Sequence, residues 1–171
     1  MTTLELPQMP TPAQTGPPTV ALAGQPNAGK TTLFNRLTGL RAKTANFPGT
    51  TVEGRLGKMK LEESGDVRVL DLPGLYGLEG DSPDQVAADA AIKGIAPGIP
   101  KPDVLVVVLD ATRLPHHLPL AGELRAQHIP VVVAVNMIDE AQRKRLAIDY
   151  DELGRELGAP VVPVSARRNT G

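Results

Sequence analysis

Val20-Ala21-Leu22-Ala23-Gly24-Gln25-Pro26-Asn27-Ala28-Gly29-Lys30-Thr31 is the stretch from which the fold can be read. A short apolar run of strand character passes into G-x-x-x-x-G-K-[ST], and Lys30 to Leu37 then continue with a helical pattern. Glycines let the backbone wrap a phosphate closely, successive amides point inward, and the helix that follows presents its positive N-terminus to the anion. Lys30 is placed to reach β- and γ-phosphates, and the Thr31 hydroxyl to ligate Mg²⁺. Gly24, Asn27, Ala28, Gly29 and Thr32 complete the candidate cradle. From average residue usage, such a match arises by chance on the order of once per hundred chains of this size.

Outward from this stretch, short aliphatic runs alternate with helical segments. Val20–Ala23, Val104–Leu109, Val131–Val135 and Val161–Val164 read as strands, and Leu56–Leu61 with Val67–Leu70 as an antiparallel hairpin turning at residues 62–66. Helices are expected over Lys30–Leu37, Gln85–Ile92, Leu118–Gln127 and Tyr150–Leu157. The pattern predicts an α/β fold with a mostly parallel six-stranded sheet, one antiparallel hairpin and helices on both faces, of the P-loop NTPase type. In such sheets ligands sit beyond the carboxyl ends of the strands, so the loops there are where chemistry belongs.

Composition narrows the function classes. The 171 residues suffice for one core, and the absence of Cys excludes thiol and disulfide chemistry. Lys and Arg number 18 against 19 Asp and Glu, a balance that argues against a nucleic-acid partner. Residues 1–5 lack the charge and apolar run of a secretory signal, and Val104–Leu109 is far too short to span a bilayer. Pro7, Pro10, Pro12, Pro17 and Pro18 mark residues 1–18 as a flexible leader, with the folded domain over 19–171.

The remaining strand ends choose the nucleotide. Asn136-Met137-Ile138-Asp139 follows a strand, and a carboxylate at Asp139 can accept from guanine N1–H and the 2-amino group together, donors that adenine lacks. Asn136 is suited to tie this loop to the P-loop, and Met137 to pack on the base. Ser165-Ala166-Arg167 follows the last strand, where a backbone amide can meet guanine O6. Asp71-Leu72-Pro73-Gly74 closes the hairpin: Asp71 is a candidate Mg²⁺ holder, and Gly74 allows an amide to approach the γ-phosphate. In residues 46–53, Thr51 rather than Thr50 is the candidate to complete the Mg²⁺ shell when GTP is bound. Residues 79–84 read as a mobile second switch loop. His116 and His117, in a strand-to-helix loop without accompanying ligands, read as surface residues, and Arg143-Lys144-Arg145 as a solvated helix end.

Together with their flanks, Gln25 to Asn35, Asn46 to Glu53, Asp71 to Tyr76 and Asn136 to Glu140 resemble the N-terminal G domain of the bacterial ferrous-iron transport protein B family, over Val20 to Gly171. The resemblance implies a GTPase cycling between GTP and GDP with Mg²⁺. It also implies helical and transmembrane parts of the same protein, at the cytoplasmic face of the inner membrane, and homo-oligomerisation is left open. GTPases of the Ras type orient the attacking water with a Gln after D-x-x-G; here Leu75 stands there, so hydrolysis is expected to be slow. The resemblance supplies a substitute, a K⁺ held near the phosphates by Asn27, against the alternative that Asn27 merely stabilises its own loop. A G domain ordinarily closes with a helix after the Ser165-Ala166-Arg167 loop, and that helix is expected to be missing from the 171 residues. Two other functions fit the same motifs: a soluble GTPase of ribosome assembly or tRNA modification, and a GTP-sensing switch with negligible hydrolysis.

Overall fold

The computed structural model describes residues 16–48, 50–63 and 65–171; Met1 to Thr15 of the expected leader lie outside them. In chain order the elements are β1 (Thr19–Ala23), α1 (Lys30–Thr38), β2 (Ala42–Asn46), β3 (Glu53–Leu61), β4 (Gly65–Asp71), α2 (Pro83–Lys93), β5 (Val104–Asp110), α3 (Leu114–Arg125), β6 (Val131–Asn136), α4 (Ile138–Arg143), α5 (Tyr150–Leu157) and β7 (Val161–Pro163). They form one sheet in the order β2-β3-β4-β1-β5-β6-β7, antiparallel at β2/β3 and β3/β4 and parallel elsewhere. The sheet therefore has seven strands, one more than expected. The extra strand, β2, is almost wholly exposed and carries no apolar period; it forms because the outer edge of β3 offers it a backbone ladder.

The chain descends β4 on one side of β1, crosses by α2, and enters β5 on the other side. This reversal at β1 opens a crevice at the carboxyl ends of the central strands, and the P-loop runs into it.

Alternation along the strands sends side chains to two cores. Ala21, Ala23, Leu105, Val107 and Leu109 face α2 and α3, whose buried Ala87, Ala88, Ala91, Leu120 and Leu124 cover them. Leu22, Val69 and Phe34 form the core beneath α1. Gly57 lets α1 approach β3, since a Cβ there would lie 2.6 Å from Thr38 Cγ2 and 3.0 Å from Phe34 Cζ. On that face Val106 packs at the margin of the α1 core, and with Val104, Val132 and Val162 it remains only half-buried. The chain's two Phe side chains, Phe34 and Phe47, are both buried.

Three further differences from expectation have local causes. α3 starts at Leu114, four residues early: Pro115 suits a first helical turn, where an amide is not needed, and Pro119 is accommodated inside. This places His117 on the inner face of α3, 4% exposed and with Nδ1 unpartnered, so it is not a surface residue; His116 is exposed. Burial lowers the His117 pKa, opposed by Asp110. α4 is too short, at six residues, to show a helical period in sequence. Among the described residues no helix is long and apolar enough to cross a membrane.

Phe34 carries the α1 core, so Phe34→Ala is expected to lower the unfolding free energy by about 3–4 kcal/mol in urea titrations. A loss under about 1 kcal/mol would show that α1 does not depend on this contact.

Candidate functional site

Two adjoining cavities lie at the carboxyl ends of the central strands. The first, about 370 Å³, is lined by Lys30 and Thr31 from α1, Thr44 from β2, Glu53 to Arg55 from β3 and Asp71 to Gly74 after β4. The second, about 290 Å³, is lined by Gly29 and Thr32, by Asn136, Met137, Asp139 and Glu140, and by Ser165 and Arg167. Residues 29–32 are thus divided between them, Lys30 and Thr31 lining the first and Gly29 and Thr32 the second.

The P-loop owes its shape to close approaches that only glycine permits. A Cβ on Gly24 would lie 2.5 Å from Val108 O, and one on Gly29 would lie 2.2 Å from Asn136 Nδ2. Both residues also hold positive φ, at 151° and 91°. Asn136 Nδ2 donates to Ala28 O at 3.0 Å, and its Oδ1 accepts from the Ala166 amide at 3.0 Å. One amide thereby joins three loops. Asn27 is exposed at φ 65°, and its side chain makes no hydrogen bond among the described residues.

In the first cavity Lys30 is only 8% and Asp71 only 6% exposed. Burial lowers the Lys30 pKa, with Asp71 and Asp84 opposing, and burial raises that of Asp71, with Lys30 and Thr31 opposing. Thr31 Oγ1 donates to Asp71 Oδ2 at 3.1 Å, while Asp71 Oδ1 is buried without a partner. A hydroxyl beside a carboxylate with an open lone pair is a donor set for a hard divalent cation. A Cβ on Gly74 would lie 2.8 Å from Pro26 Cγ, so the loop after β4 lies directly against the P-loop. Leu75 donates its amide to Gly24 O at 3.0 Å and buries its side chain completely in the core. It serves as an anchor of this loop and does not face the cavity.

Residues 46–53 are divided between two roles. Phe47 is buried over Gly54, where a Cβ would lie 2.8 Å from its ring. The Thr50 hydroxyl is engaged in its own turn, donating to Phe47 O and accepting from the Val52 amide. Thr51 is exposed and does not line the cavity, whereas Thr44 does. No motif pointed to Thr44, which is placed by pairing with Arg55 across β2/β3. The segment leading into α2 is tethered on either side of residues 80–84: the Leu78 amide donates to Glu123 Oε2 of α3, and Gln85 Nε2 donates to Gly77 O and Glu79 O.

In the second cavity Ser165 Oγ donates to Asp139 Oδ1 at 2.8 Å, and Arg168 Nε lies 3.2 Å from Asp139 Oδ2. The Ser165 hydroxyl above all holds the Asp139 carboxyl below its ordinary range, so it is an anion ready to accept hydrogen bonds. Met137, at φ 63°, caps α4, and its Cε lies 3.6 Å from a Cβ position on Gly29, across the P-loop turn. The Ala166 amide is taken by Asn136, while the Arg167 amide has no acceptor among the described residues. Sequence reasoning passed over Arg168, Thr44 and Glu123, none of which belongs to a motif.

Comparison with known proteins gives a consistent result. The family model described as "Ferrous iron transport protein B" matches residues 18–171. The Fe(2+) transporter FeoB of Salmonella typhimurium is 40% identical over 158 residues, 90% of this chain, and that of Escherichia coli is 39% identical over the same length. The chain spans about a fifth of the length of these relatives. Among solved structures, the G domain of T. maritima FeoB superposes with a TM-score of 0.78 at 38% identity, covering 91% of this chain and 92% of that one. The T. maritima FeoB cytosolic domain in GMPPNP form gives 0.81 at 37% identity, covering 90% and 59%. A mutant S. thermophilus NFeoB bound to mGDP gives 0.81 at 38%, covering 91% and 57%. With the P-loop, Asp71 and Asn136–Asp139 assembled at one crevice and the family model spanning residues 18–171, the chain belongs to the ferrous iron transport protein B family.

Proposed function

We propose that this chain is the GTP-binding and GTP-hydrolysing domain of a larger ferrous-iron transporter, acting at the cytoplasmic face of a bacterial inner membrane. The observation that carries the reading is the Asp139 carboxylate, in a cavity lined by Gly29 and Thr32, the immediate chain neighbours of the Lys30 and Thr31 that line the cavity of Asp71. Asp139 is the guanine acceptor, because a buried carboxylate left facing adenine would lose its hydrogen bonds. The Arg167 amide donates to O6, Ser165 holds Asp139, and Asn136, which takes the Ala166 amide, fixes the distance between base and phosphate loops. Family membership over residues 18–171 favours this reading over a GTPase of ribosome assembly or tRNA modification.

The catalytic assignments are Lys30, Asn27, Thr51 and Gly74. Lys30 neutralises charge on the β- and γ-phosphate oxygens, and burial strengthens that interaction. Thr31 and Asp71 fit Mg²⁺ through the unpartnered Asp71 Oδ1, and Thr51, its hydroxyl free of the turn that occupies Thr50, joins them when the first switch closes. Mg²⁺ supplies charge neutralisation at the phosphates. The Gly74 amide approaches the γ-phosphate because its neighbour is the P-loop itself. Asn27, whose carboxamide its own loop does not use, is the K⁺ ligand. The buried Leu75 side chain supports a second reading, a nucleotide-sensing switch that hydrolyses GTP negligibly.

The half-buried valines of β5, β6 and β7 support a domain boundary beyond Gly171. A closing helix from the following residues would cover Val104, Val106, Val132 and Val162. A chain lengthened to include it is expected to melt about 5–10 °C higher; an unchanged Tm would leave that face without its proposed cover.

Asp139→Asn exchanges an acceptor for a donor at the base. It is expected to weaken GTP binding on the order of a hundredfold and favour xanthosine triphosphate, by competition titration. Unchanged preference for GTP would place the base elsewhere. Turnover is expected to be faster in K⁺ than in Na⁺, with Asn27→Ala abolishing the difference. Equal and negligible turnover of the wild-type chain in both salts would favour the sensing switch.

A further inference from the structure

Arg36 lies in the last turn of α1, a place where a basic side chain ordinarily answers the negative end of the helix. Its guanidinium does something more specific. Nε donates to Ala166 O at 3.0 Å and Nη2 donates to Arg167 O at 3.0 Å, joining segments 130 residues apart in sequence. Two donors in a rigid plane match two successive carbonyls, a match that a lysine ammonium cannot reproduce.

The loop it grips is otherwise held from one side. Residues 165–170 close on themselves through the Ser165 amide to Thr170 O at 2.8 Å and the Thr170 amide to Ser165 O at 3.2 Å. Asn136 and Asp139 engage the loop from the β6 side. From α1, among the described residues, the polar connection is Arg36. The helix that presents Lys30 and Thr31 to the phosphates therefore also holds the loop at the base.

Peptide geometry turns that grip into a direction. The Ala166 carbonyl and the Arg167 amide belong to one planar trans unit, so they point opposite ways. With the carbonyl drawn toward Arg36, the Arg167 N–H is directed away from α1. It has no acceptor among the described residues, and Arg167 lines the base cavity. We propose that Arg36 is a positioning residue of the base site: it aims the Arg167 amide at the purine 6-oxo group and so sets how long the nucleotide stays bound. The inference rests on the guanine-nucleotide reading of the site.

The test measures dissociation of GDP and of 6-thio-GDP, which keeps the donors facing Asp139 but offers sulfur, a weak acceptor, at position 6. Arg36→Ala is expected to speed GDP release about tenfold, the loss of about one hydrogen bond, that from the Arg167 amide to the 6-oxo group. Arg36→Lys should fall between Arg36→Ala and wild type, because it keeps the charge and loses the fork. Release of 6-thio-GDP should change far less than that of GDP, and melting temperature should stay the same. An unchanged GDP release rate, or equal acceleration for both nucleotides, overturns the inference while leaving the nucleotide reading intact. Failure of the wild-type chain to bind GDP overturns both.

Discussion

Everything at the crevice depends on where the Asn136 side chain goes. It ends β6, is 3% exposed, and uses both ends of its amide: Nδ2 on Ala28 O and Oδ1 on the Ala166 amide. Its own carbonyl accepts from the Ala111 amide after β5. A buried carboxamide is costly unless satisfied at both ends, so its two bonds draw the P-loop and the last loop to one spacing. Gly29 is the counterpart of that constraint, since any side chain there would occupy the position of Nδ2.

The first cavity has the opposite character. Lys30 and Asp71 are both buried, burial is the main influence on each, and Asp71 Oδ1 has no partner. A fold built for stability alone would not leave a cation and a carboxylate short of partners in a polar cavity. Such a local conflict between burial and charge is what a site for anionic and cationic ligands requires, because the ligands supply the missing interactions. The neighbouring loops are held by other groups: Phe47 packs on Gly54, Leu75 enters the core, and the Leu78 amide reaches Glu123.

Much of this was legible in the sequence. The aliphatic strands β1, β5 and β6 announce themselves because both sheet faces are covered near the centre, which leaves uninterrupted apolar runs. β2 was not legible, since its five residues are held by backbone ladder bonds alone. Nor was the start of α3, because Pro115 and Pro119 read as loop residues when only the local chain is considered. The burial of His117 follows from that helix turning inward, a fact no neighbouring residue records. Among residues lining the two cavities, Gly29 to Thr32, Asp71, Gly74, Asn136, Met137, Asp139, Ser165 and Arg167 were legible and Thr44 was not, nor were Glu123 and Arg36; Thr51, singled out in the sequence, lies outside the lining.

The difference has a physical origin. A backbone that must wrap a phosphate demands glycines at set positions, and a strand end that must present a carboxylate demands it at a set distance from the strand. Those demands act along the chain, so the sequence by itself determined the P-loop, Asp71, Asn136–Asp139 and the α/β class. Contacts between segments far apart in the chain leave no local trace. Which hydroxyl is free in residues 50–51, which amide of the last loop lacks an acceptor, and that Arg36 clamps that loop across 130 residues were decided only by the tertiary structure. There, packing the helices onto the sheet brings together donors and acceptors that the chain itself keeps apart.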